Sequence, residues 1–173
     1  MDADRIVIRA AAPADLADVA AIYAHYVTTS VTTFEEVPPT PADWRLRLDD
    51  LAGRKLPFLV AEAADSSVGG YAYASPWRPK PAYRYTVEDT VYVSPAHTGR
   101  GLGRALLGAL LAACAEAGAR QVIAVIVDAG GGASLALHRG LGFAQAGRLC
   151  SVGRKHGRWL DTVLMQRELG TKS

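Results

Sequence analysis

The stretch SPAHTGRGLGRALL, residues 94–107, places three glycines at alternate positions, among two arginines, directly ahead of a helical segment. The five residues are Gly99, Arg100, Gly101, Gly103 and Arg104. Alternate glycines keep side chains away, so that successive backbone N–H groups can converge on an anion. The helix start adds unpaired N–H groups and a partial positive charge, and the guanidinium groups add charged hydrogen bonds. The stretch predicts a phosphate-binding loop; the alternative is a glycine turn that only starts a helix.

Two familiar nucleotide-binding loops do not match this stretch. In the dinucleotide pattern G-x-G-x-x-G, the last glycine is replaced by Arg104 when counting from Gly99, and by Leu106 when counting from Gly101. The phosphate loop of nucleotide triphosphatases needs Gly-Lys-Ser/Thr, which this sequence lacks. The phosphate therefore belongs to another kind of ligand.

The preceding segment TVEDTVYV, residues 86–93, reads as a strand that carries Glu88 and ends at Ser94-Pro95. A proline ends normal strand pairing, so we expect exposed N–H and C=O groups beside the anion site. Such groups can hold an extended, amide-bearing arm by strand-like hydrogen bonds. A pyrophosphate joined to a peptide-like arm describes coenzyme A.

The bulk properties predict one ordinary domain spanning residues 1–173. A net charge of +2 gives no reason to expect a nucleic-acid partner. The sequence has two cysteines, no signal-peptide profile and no uninterrupted apolar run of ~20 residues, so we expect a cytoplasmic protein without membrane contact. The four histidines lack ligand spacing, so no metal is expected; they are His25, His97, His138 and His156.

Periodicity and turn signals predict an α/β (α+β) protein with the order β-α-α-β-β-β-α-β-α-β-β and a mixed sheet. Predicted strands cover 5–9, 57–63, 68–75, 86–93, 121–127, 146–153 and 158–167. Predicted helices run from about Asp15 to Val27, Thr40 to Gly53, Gly101 to Ala117 and Ser134 to Arg139.

The chain resembles the GCN5-related N-acetyltransferase superfamily, whose signature is Gln/Arg-x-x-Gly-x-Gly/Ala before a helix. The corresponding residues here are Thr98-Gly99-Arg100-Gly101-Leu102-Gly103. More narrowly it is similar to phosphinothricin and methionine-sulfoximine N-acetyltransferases, in the stretches IYAHYVTTSVTTFEEVPPT, GYAYASPWRPKPAYRYTVEDTVYVSP, SLALHRGLGF and GRKHGRWLDTVLMQ. The resemblance implies the acyl-CoA N-acyltransferase fold, a mostly antiparallel central sheet with helices on both faces, and acetyl-CoA as co-substrate.

Two positions depart from the family pattern. The usual Gln or Arg at the head of the signature is Thr98, and the asparagine common before the last helix is replaced by glycine, at Gly131. Both changes predict weaker coenzyme binding, because each removes a side-chain contact while the backbone cradle remains. The residues expected to bind the coenzyme are Tyr92, Val93, Thr98, Gly99, Arg100, Gly101, Leu102, Gly103, Arg104 and Ser134.

Acetyl transfer to an amine needs a base for the amine and donors for the thioester oxygen and the leaving thiolate. Glu88 is the candidate base, with a purely structural carboxylate as the alternative. Backbone N–H groups near Tyr92 and Val93 are the expected donors to the carbonyl oxygen. The resemblance places His138 where relatives carry an acid for the thiolate; a helix-surface histidine is the alternative.

The basic, aromatic segment SPWRPKPAYRYT is the expected acceptor site, because a guanidinium grips a carboxylate at two points and aromatic rings can wall a side chain. The expected contacts are Trp77, Arg78, Tyr83, Arg84 and Tyr85. A solvated basic loop is the alternative. The resemblance adds Phe34 and Glu35, and it places Lys155 and His156 either near the pocket or at a subunit contact.

The favoured function is acetylation of the α-amine of a small amino acid or analogue, such as phosphinothricin, methionine sulfoximine or methionine sulfone. Acetylation of another amine, such as a protein N-terminus, and a non-catalytic acyl-CoA sensor remain open. Polyamines are disfavoured because the acceptor segment is basic. The resemblance also suggests a homodimer; a role in detoxification or in metabolism is left open.

Overall fold

The computed structural model describes residues 6–170. The seven strands are β1 (Val7–Ala10), β2 (Phe58–Glu62), β3 (Val68–Pro76), β4 (Thr86–Val93), β5 (Gln121–Asp128), β6 (Ala144–Lys155) and β7 (Arg158–Glu168). The helices are α1 (Leu16–Thr29), α2 (Pro41–Gly53), α3 (Leu102–Glu116) and α4 (Ala133–Gly140). Each predicted element is present, although β6 is longer than expected and the first residue of the predicted strand 5–9 lies outside the described residues.

The strands form one sheet in the order β1-β2-β3-β4-β5-β7-β6. Within the described chain the β4–β5 pair is parallel and the other five neighbouring pairs are antiparallel. Helices α1 and α2 cover one face of the sheet, and α3 and α4 cover the other. The predicted mixed, mostly antiparallel sheet with helices on both faces is confirmed.

Local signals explain where two helices begin and end. Thr40 caps α2: its side chain accepts a hydrogen bond from the Asp43 N–H, and the Asp43 carboxylate accepts one from the Thr40 N–H at 2.8 Å. Pro41 occupies the first helical position, where its missing N–H costs nothing. Gly118 follows α3 with a φ of +92°, which a residue with a side chain rarely adopts.

The two faces of the sheet have different cores. The face under α3 is aliphatic, with Leu106, Leu107 and Leu110 fully buried. The face under α1 and α2 is aromatic, with Trp44 and Tyr71 buried at its centre. Because these side chains are buried, the hydrophobic effect stabilises the packing of both helical layers against the sheet.

The central strands separate halfway along their length. Residues Thr86–Glu88 of β4 pair with residues Gln121–Ile123 of β5, and beyond these residues the two strands diverge. We expected the unpaired edge to result from Ser94-Pro95, and that expectation is wrong. The Ser94 N–H still donates to the Gly69 carbonyl at 2.9 Å, so pairing with β3 continues. The free edge of β4 is the one that faces β5, and it begins after Glu88.

Candidate active site

A cavity of about 710 Å³ opens where β4 and β5 separate. Its walls come from both faces of the sheet: α1 and the loop after it on one side, and the start of α4 on the other. The β4 segment from Glu88 to Val93 and the β5 segment from Ala124 to Val127 form its sides. The cavity therefore borders both faces of the sheet.

The alternation of strand hydrogen bonds decides which β4 amides face this cavity. The Ser94 N–H donates to Gly69, and the Trp77 N–H donates to Thr86, so even-numbered β4 residues form the hydrogen-bonded pairs with β3. The N–H groups of Val91 and Val93 consequently point toward the gap. Of the two amides expected beside the reacting carbonyl, Val93 faces the gap and Tyr92 faces β3. Val91, which the sequence did not single out, presents a further amide.

The glycine-rich stretch forms the turn that leads into α3. Gly99 and Gly101 have φ values of +75° and +76°, and α3 begins at Leu102. A side chain at either position would strain the backbone, so these glycines are required by conformation. Thr98 donates its hydroxyl to the Pro95 carbonyl, and Arg104 donates to Gly140. Backbone amides and the exposed Arg100 are therefore the groups best placed for an anion.

A second glycine-rich turn precedes α4. Gly130 and Gly132 have φ values of +88° and +70°, and the Gly130 N–H donates to the Asp128 side chain at 3.3 Å. Ser134 is exposed in the first turn of α4 and lines the cavity. Gly131, which replaces the asparagine of the family pattern, is also exposed. Of the two turns, the second borders the cavity through Ala133 and Ser134, whereas the first does not line it in the part of the chain that the structure describes.

Glu88 lies at the point where the two strands part, half-buried in the cavity wall. Burial raises the pKa of its carboxyl group, the nearby charge of Asp89 raises it further, and Arg78 opposes the shift. A carboxylate with a raised pKa that faces a cavity is suited to accept a proton. Its role as the base stays a prediction.

His138 is buried, with 4% of its surface exposed, so the alternative of a helix-surface histidine is wrong. Its Nδ1 lies 2.7 Å from the Ser134 carbonyl oxygen, and its Nε2 lies 2.8 Å from Oδ2 of Asp89. A carbonyl oxygen only accepts, so Nδ1 carries a proton. Burial lowers the pKa of His138, but the Asp89 hydrogen bond and charge outweigh it, and the net pKa is raised. Asp89 was missed because an acidic residue inside a strand gives no sign of its partner.

The basic, aromatic acceptor segment lies on the surface between β3 and β4. Arg78 stacks on Trp77 and Arg84 stacks on Tyr85, while Tyr83 is exposed. In the described chain these five residues are not part of the cavity wall. Arg78 is nevertheless close enough to Glu88 to oppose the rise in its pKa. Their contact with an acceptor stays a prediction.

The loop after α1 is brought to the cavity by its contact with the β6–β7 hairpin. Phe34 lines the cavity, whereas Glu35 is exposed beside it. Lys155 is buried and donates to the Thr33 carbonyl at 2.8 Å. His156 is exposed in the hairpin turn with a φ of +49°. Lys155 is therefore buried beneath the loop that lines the cavity, although it is not itself one of the lining residues.

Comparison with known proteins identifies the family. Residues 20–143 match the model described as "Acetyltransferase (GNAT) family". The chain belongs to the GNAT family of acetyltransferases. Within the described residues, no group of three or more His, Cys, Asp or Glu side chains is arranged to hold a metal ion.

Several GNAT relatives are similar over nearly the whole chain. Phosphinothricin N-acetyltransferase of Alcaligenes faecalis is 52% identical over 155 residues, which cover 90% of this chain and 78% of that protein. L-methionine sulfoximine/L-methionine sulfone acetyltransferase of Pseudomonas aeruginosa is 41% identical over 162 residues, 94% of each chain. A crystal structure of a GNAT phosphinothricin acetyltransferase from Sinorhizobium meliloti with acetyl-CoA has a TM-score of 0.89 and 47% identity, and the match covers 95% of this chain and 89% of that chain.

The residues present fit acetyl-CoA as co-substrate. The gap presents unpaired β4 amides to a peptide-like arm, and the positive-φ glycines at the start of α3 present backbone amides to a diphosphate. The protein is an acetyl-CoA-dependent N-acetyltransferase. A donor held at these turns would leave the side of α1 and Phe34 for the amine.

Proposed function

We propose that this enzyme acetylates the α-amine of a small amino acid or analogue of the phosphinothricin, methionine sulfoximine or methionine sulfone type. One observation carries the proposal: half-buried Glu88 lies at the opening between β4 and β5, next to the free amides of that edge. The names of the relatives from Alcaligenes faecalis and Pseudomonas aeruginosa support the substrate class.

The energetics of deprotonation favour an α-amine over a lysine side chain. At pH 7, neutralising an amine with a pKa near 10.4 costs about 4.6 kcal/mol, against roughly 1 kcal/mol for an α-amine near 7.8. A single carboxylate such as Glu88 is adequate for the second case. Glu88 takes the proton from the amine directly or through one water molecule.

The remaining groups act on the thioester. The amine nitrogen bonds to the acetyl carbon, the carbon–sulfur bond breaks, and the sulfur leaves as a thiolate that needs a proton. The Val93 amide, on the free edge of β4, donates to the carbonyl oxygen as its negative charge develops. His138 supplies the proton to the thiolate; its Nε2–H must turn from Asp89 to do so.

The acceptor is recognised at two places. Phe34 provides an apolar wall for its side chain, with Glu35 next to it on the loop. Arg78 and Arg84, stacked on Trp77 and Tyr85, provide guanidinium groups for its carboxylate. If Arg84→Ala leaves the KM of every amino-acid acceptor unchanged, Arg84 is not part of this clamp.

The cellular setting is also part of the proposal. We propose a cytoplasmic homodimer whose role is the detoxification of amino-acid analogues of the kind named for its relatives. The helices described in residues 6–170 are all too short or too polar to cross a membrane. Light scattering of the purified protein measures the oligomeric state.

The decisive experiment mixes the protein, acetyl-CoA and a panel of amines and follows the release of free thiol. The panel contains phosphinothricin, methionine sulfone, ordinary amino acids, a peptide N-terminus and spermidine. Thiol release with the amino-acid analogues supports the proposal, and release only with the peptide indicates protein acetylation. Calorimetric binding of acetyl-CoA without thiol release indicates an acyl-CoA sensor, the candidate that the departures at Thr98 and Gly131 favour. If calorimetry detects no heat of binding at millimolar acetyl-CoA, the prediction that the glycine-rich turn before α3 binds the coenzyme is contradicted.

A further inference from the structure

The loop between α1 and α2 is held against the C-terminal end of β6 by two contacts. One is apolar, between Phe34 and Gly153, and the other is polar, between Thr33 and Lys155. Phe34, Thr33 and Val152 all line the cavity, on the side opposite α4. The packing of this loop against β6 therefore limits the extent of the cavity on the side where we expect the acceptor to bind.

Gly153 allows the Phe34 ring to lie directly on the backbone of β6. A Cβ atom placed on Gly153 would lie within 2.8 Å of three carbons of the ring. Contacts that short do not occur between real side chains, so any larger residue at this position must push the ring away. Phe34 lines the cavity and 38% of its surface is exposed, so the cavity is a space into which the displaced ring can move.

Lys155 fixes the same loop one residue earlier. Its ammonium group donates to the Thr33 carbonyl at 2.8 Å, and only 3% of the lysine surface is exposed. The Thr33 hydroxyl in turn shares a 2.7 Å hydrogen bond with the Tyr23 hydroxyl of α1. Burial lowers the pKa of Lys155, while the charges of Glu36 and Glu35 oppose the shift. The buried ammonium group of Lys155 thus holds the Thr33 carbonyl, and with it the loop, in place.

A bulge in β6 brings these residues to the cavity. The register with β7 shifts between Leu149, which pairs with Thr162, and Gly153, which pairs with Leu160. Within the bulge the Ser151 N–H donates to Asp161 at 2.8 Å, and Ser151 has a φ of +50°. Bulges reorient the side chains of a strand. This one places Val152 in the cavity wall next to Phe34.

We propose that Gly153 sets the size of the acceptor side chain that the enzyme accepts, and that Lys155 holds the loop on which acceptor binding depends. Gly153 leaves space on β6 for the tip of the Phe34 ring and so leaves room in the cavity for the acceptor side chain, and Lys155 keeps the loop that carries the ring in place. This inference rests on the proposed function, since it concerns the amine end of the same cavity. Neither residue touches the reacting atoms; both act through Phe34.

The first test is Gly153→Ala, assayed with acetyl-CoA and a graded acceptor series of alanine, norvaline, methionine sulfone and phosphinothricin. We expect the ratio of kcat/KM for methionine sulfone to that for alanine to fall about tenfold, mainly through KM, because the displaced ring fills the space of the longer side chain. Gly147→Ala is the matched control on the same strand, because a Cβ there meets only Leu164 at 3.8 Å. Its ratio should stay within twofold of wild type.

A double-mutant cycle shows whether the effect passes through Phe34. Phe34→Ala removes the ring, so Gly153→Ala should cause no further change in the acceptor ratio in that background. The cycle has a second readout that does not need activity: Gly153→Ala should lower the unfolding midpoint in wild type but not in Phe34→Ala. Equal effects of Gly153→Ala in both backgrounds overturn the inference.

Lys155 is tested with Lys155→Met, which removes the donor, and Lys155→Gln, which retains one. We expect Lys155→Met to raise KM for all acceptors several-fold while the Kd of acetyl-CoA stays within twofold, and Lys155→Gln to recover part of the loss. If Lys155 has a purely structural role, Lys155→Met lowers stability without raising the KM of the acceptors relative to the Kd of acetyl-CoA. That result overturns the inference. A wild-type enzyme that releases no thiol with any amine overturns the proposed function and the size-setting role together. If the wild-type enzyme is active but Gly153→Ala leaves the ratio of kcat/KM between the two acceptors unchanged, the inference is overturned and the proposed function is not.

Discussion

His138 and Asp89 form a buried pair that joins α4 to β4 across the wall of the cavity. The Nε2 atom of the imidazole lies 2.8 Å from Oδ2 of the carboxylate, with 4% and 8% of the two residues exposed. Both ring nitrogens face acceptors, because the other one donates to the Ser134 carbonyl. The arrangement favours a positively charged imidazolium. It fixes the last turn of α4 beside the point where β4 has lost its β5 partner.

The pair predicts that stability decreases as pH rises above the ordinary histidine range. The pKa of His138 is raised in the folded protein, so its stabilising effect is complete below about pH 6.5 and is lost as pH rises through the folded pKa. The loss is about 1.36 kcal/mol for each unit of elevation. Urea unfolding at pH 6, 7, 8 and 9 measures it.

Asp89→Asn serves as the matched variant for this measurement. The asparagine amide can donate to a neutral Nε2, so His138 no longer needs a second proton and this part of the pH slope should vanish. The groups that face the pair are the Ser134 carbonyl, the Phe143 ring, and the Cys114 thiol, whose pKa is about 12 and which stays protonated throughout. An unchanged slope in Asp89→Asn would show that His138 is not the group responsible.

Glu88→Gln should reduce kcat about 100-fold while the Kd of acetyl-CoA stays within twofold. The amide has the size of the carboxylate but cannot accept the proton of the amine. The loss should be largest above the pKa of Glu88, where the wild-type base is ionised, and the acidic limb of the wild-type pH–rate profile should disappear. Glu116→Gln, at the exposed end of α3, is the control. A variant that keeps the wild-type profile removes Glu88 from the role of base.

Arg78→Ala should move the acidic limb of the pH–rate profile to higher pH. Burial and the charge of Asp89 raise the pKa of Glu88, and the Arg78 guanidinium is the charge that opposes them. Without it the pKa of Glu88 rises further, so a higher pH is needed to ionise the base. Profiles of kcat/KM between pH 5 and 9 test this. A shift to lower pH, or none, contradicts the proposed influence of Arg78 on Glu88.

Gly101→Val should weaken acetyl-CoA binding roughly tenfold, because a side chain at its φ of +76° costs about 1–2 kcal/mol and displaces the neighbouring amides. Gly108→Ala, in the interior of α3 with open space around it, should instead stabilise the protein by about 0.5–1 kcal/mol and leave binding unchanged. Calorimetry and thermal unfolding of the two variants provide the comparison. Equal affinities would show that the turn does not hold the coenzyme.

Much of the fold was predictable because its signals are local. The Thr40–Asp43 cap and the apolar stripe of α3 depend on residues a few positions apart, and the observed bounds of α2 and α3 agree with them. The glycines at 99 and 101 were identified by spacing, and their positive φ values give the physical reason. The free edge of β4 was predicted from the proline that follows the strand, and that reason is wrong. A proline is a local signal, whereas the separation of β4 from β5 depends on the whole sheet.

The sequence by itself determined the order of elements, the turn of alternating glycines and the presence of Glu88 on a strand just before it. Only the tertiary structure decided that β4 parts from β5 after Glu88, that Asp89 meets His138, and that Phe34 rests on Gly153. These contacts join segments far apart in the chain, and they depend on strand register and on which face each side chain occupies. A shift of one residue would reverse those faces, so the contacts exist only once the whole sheet has formed.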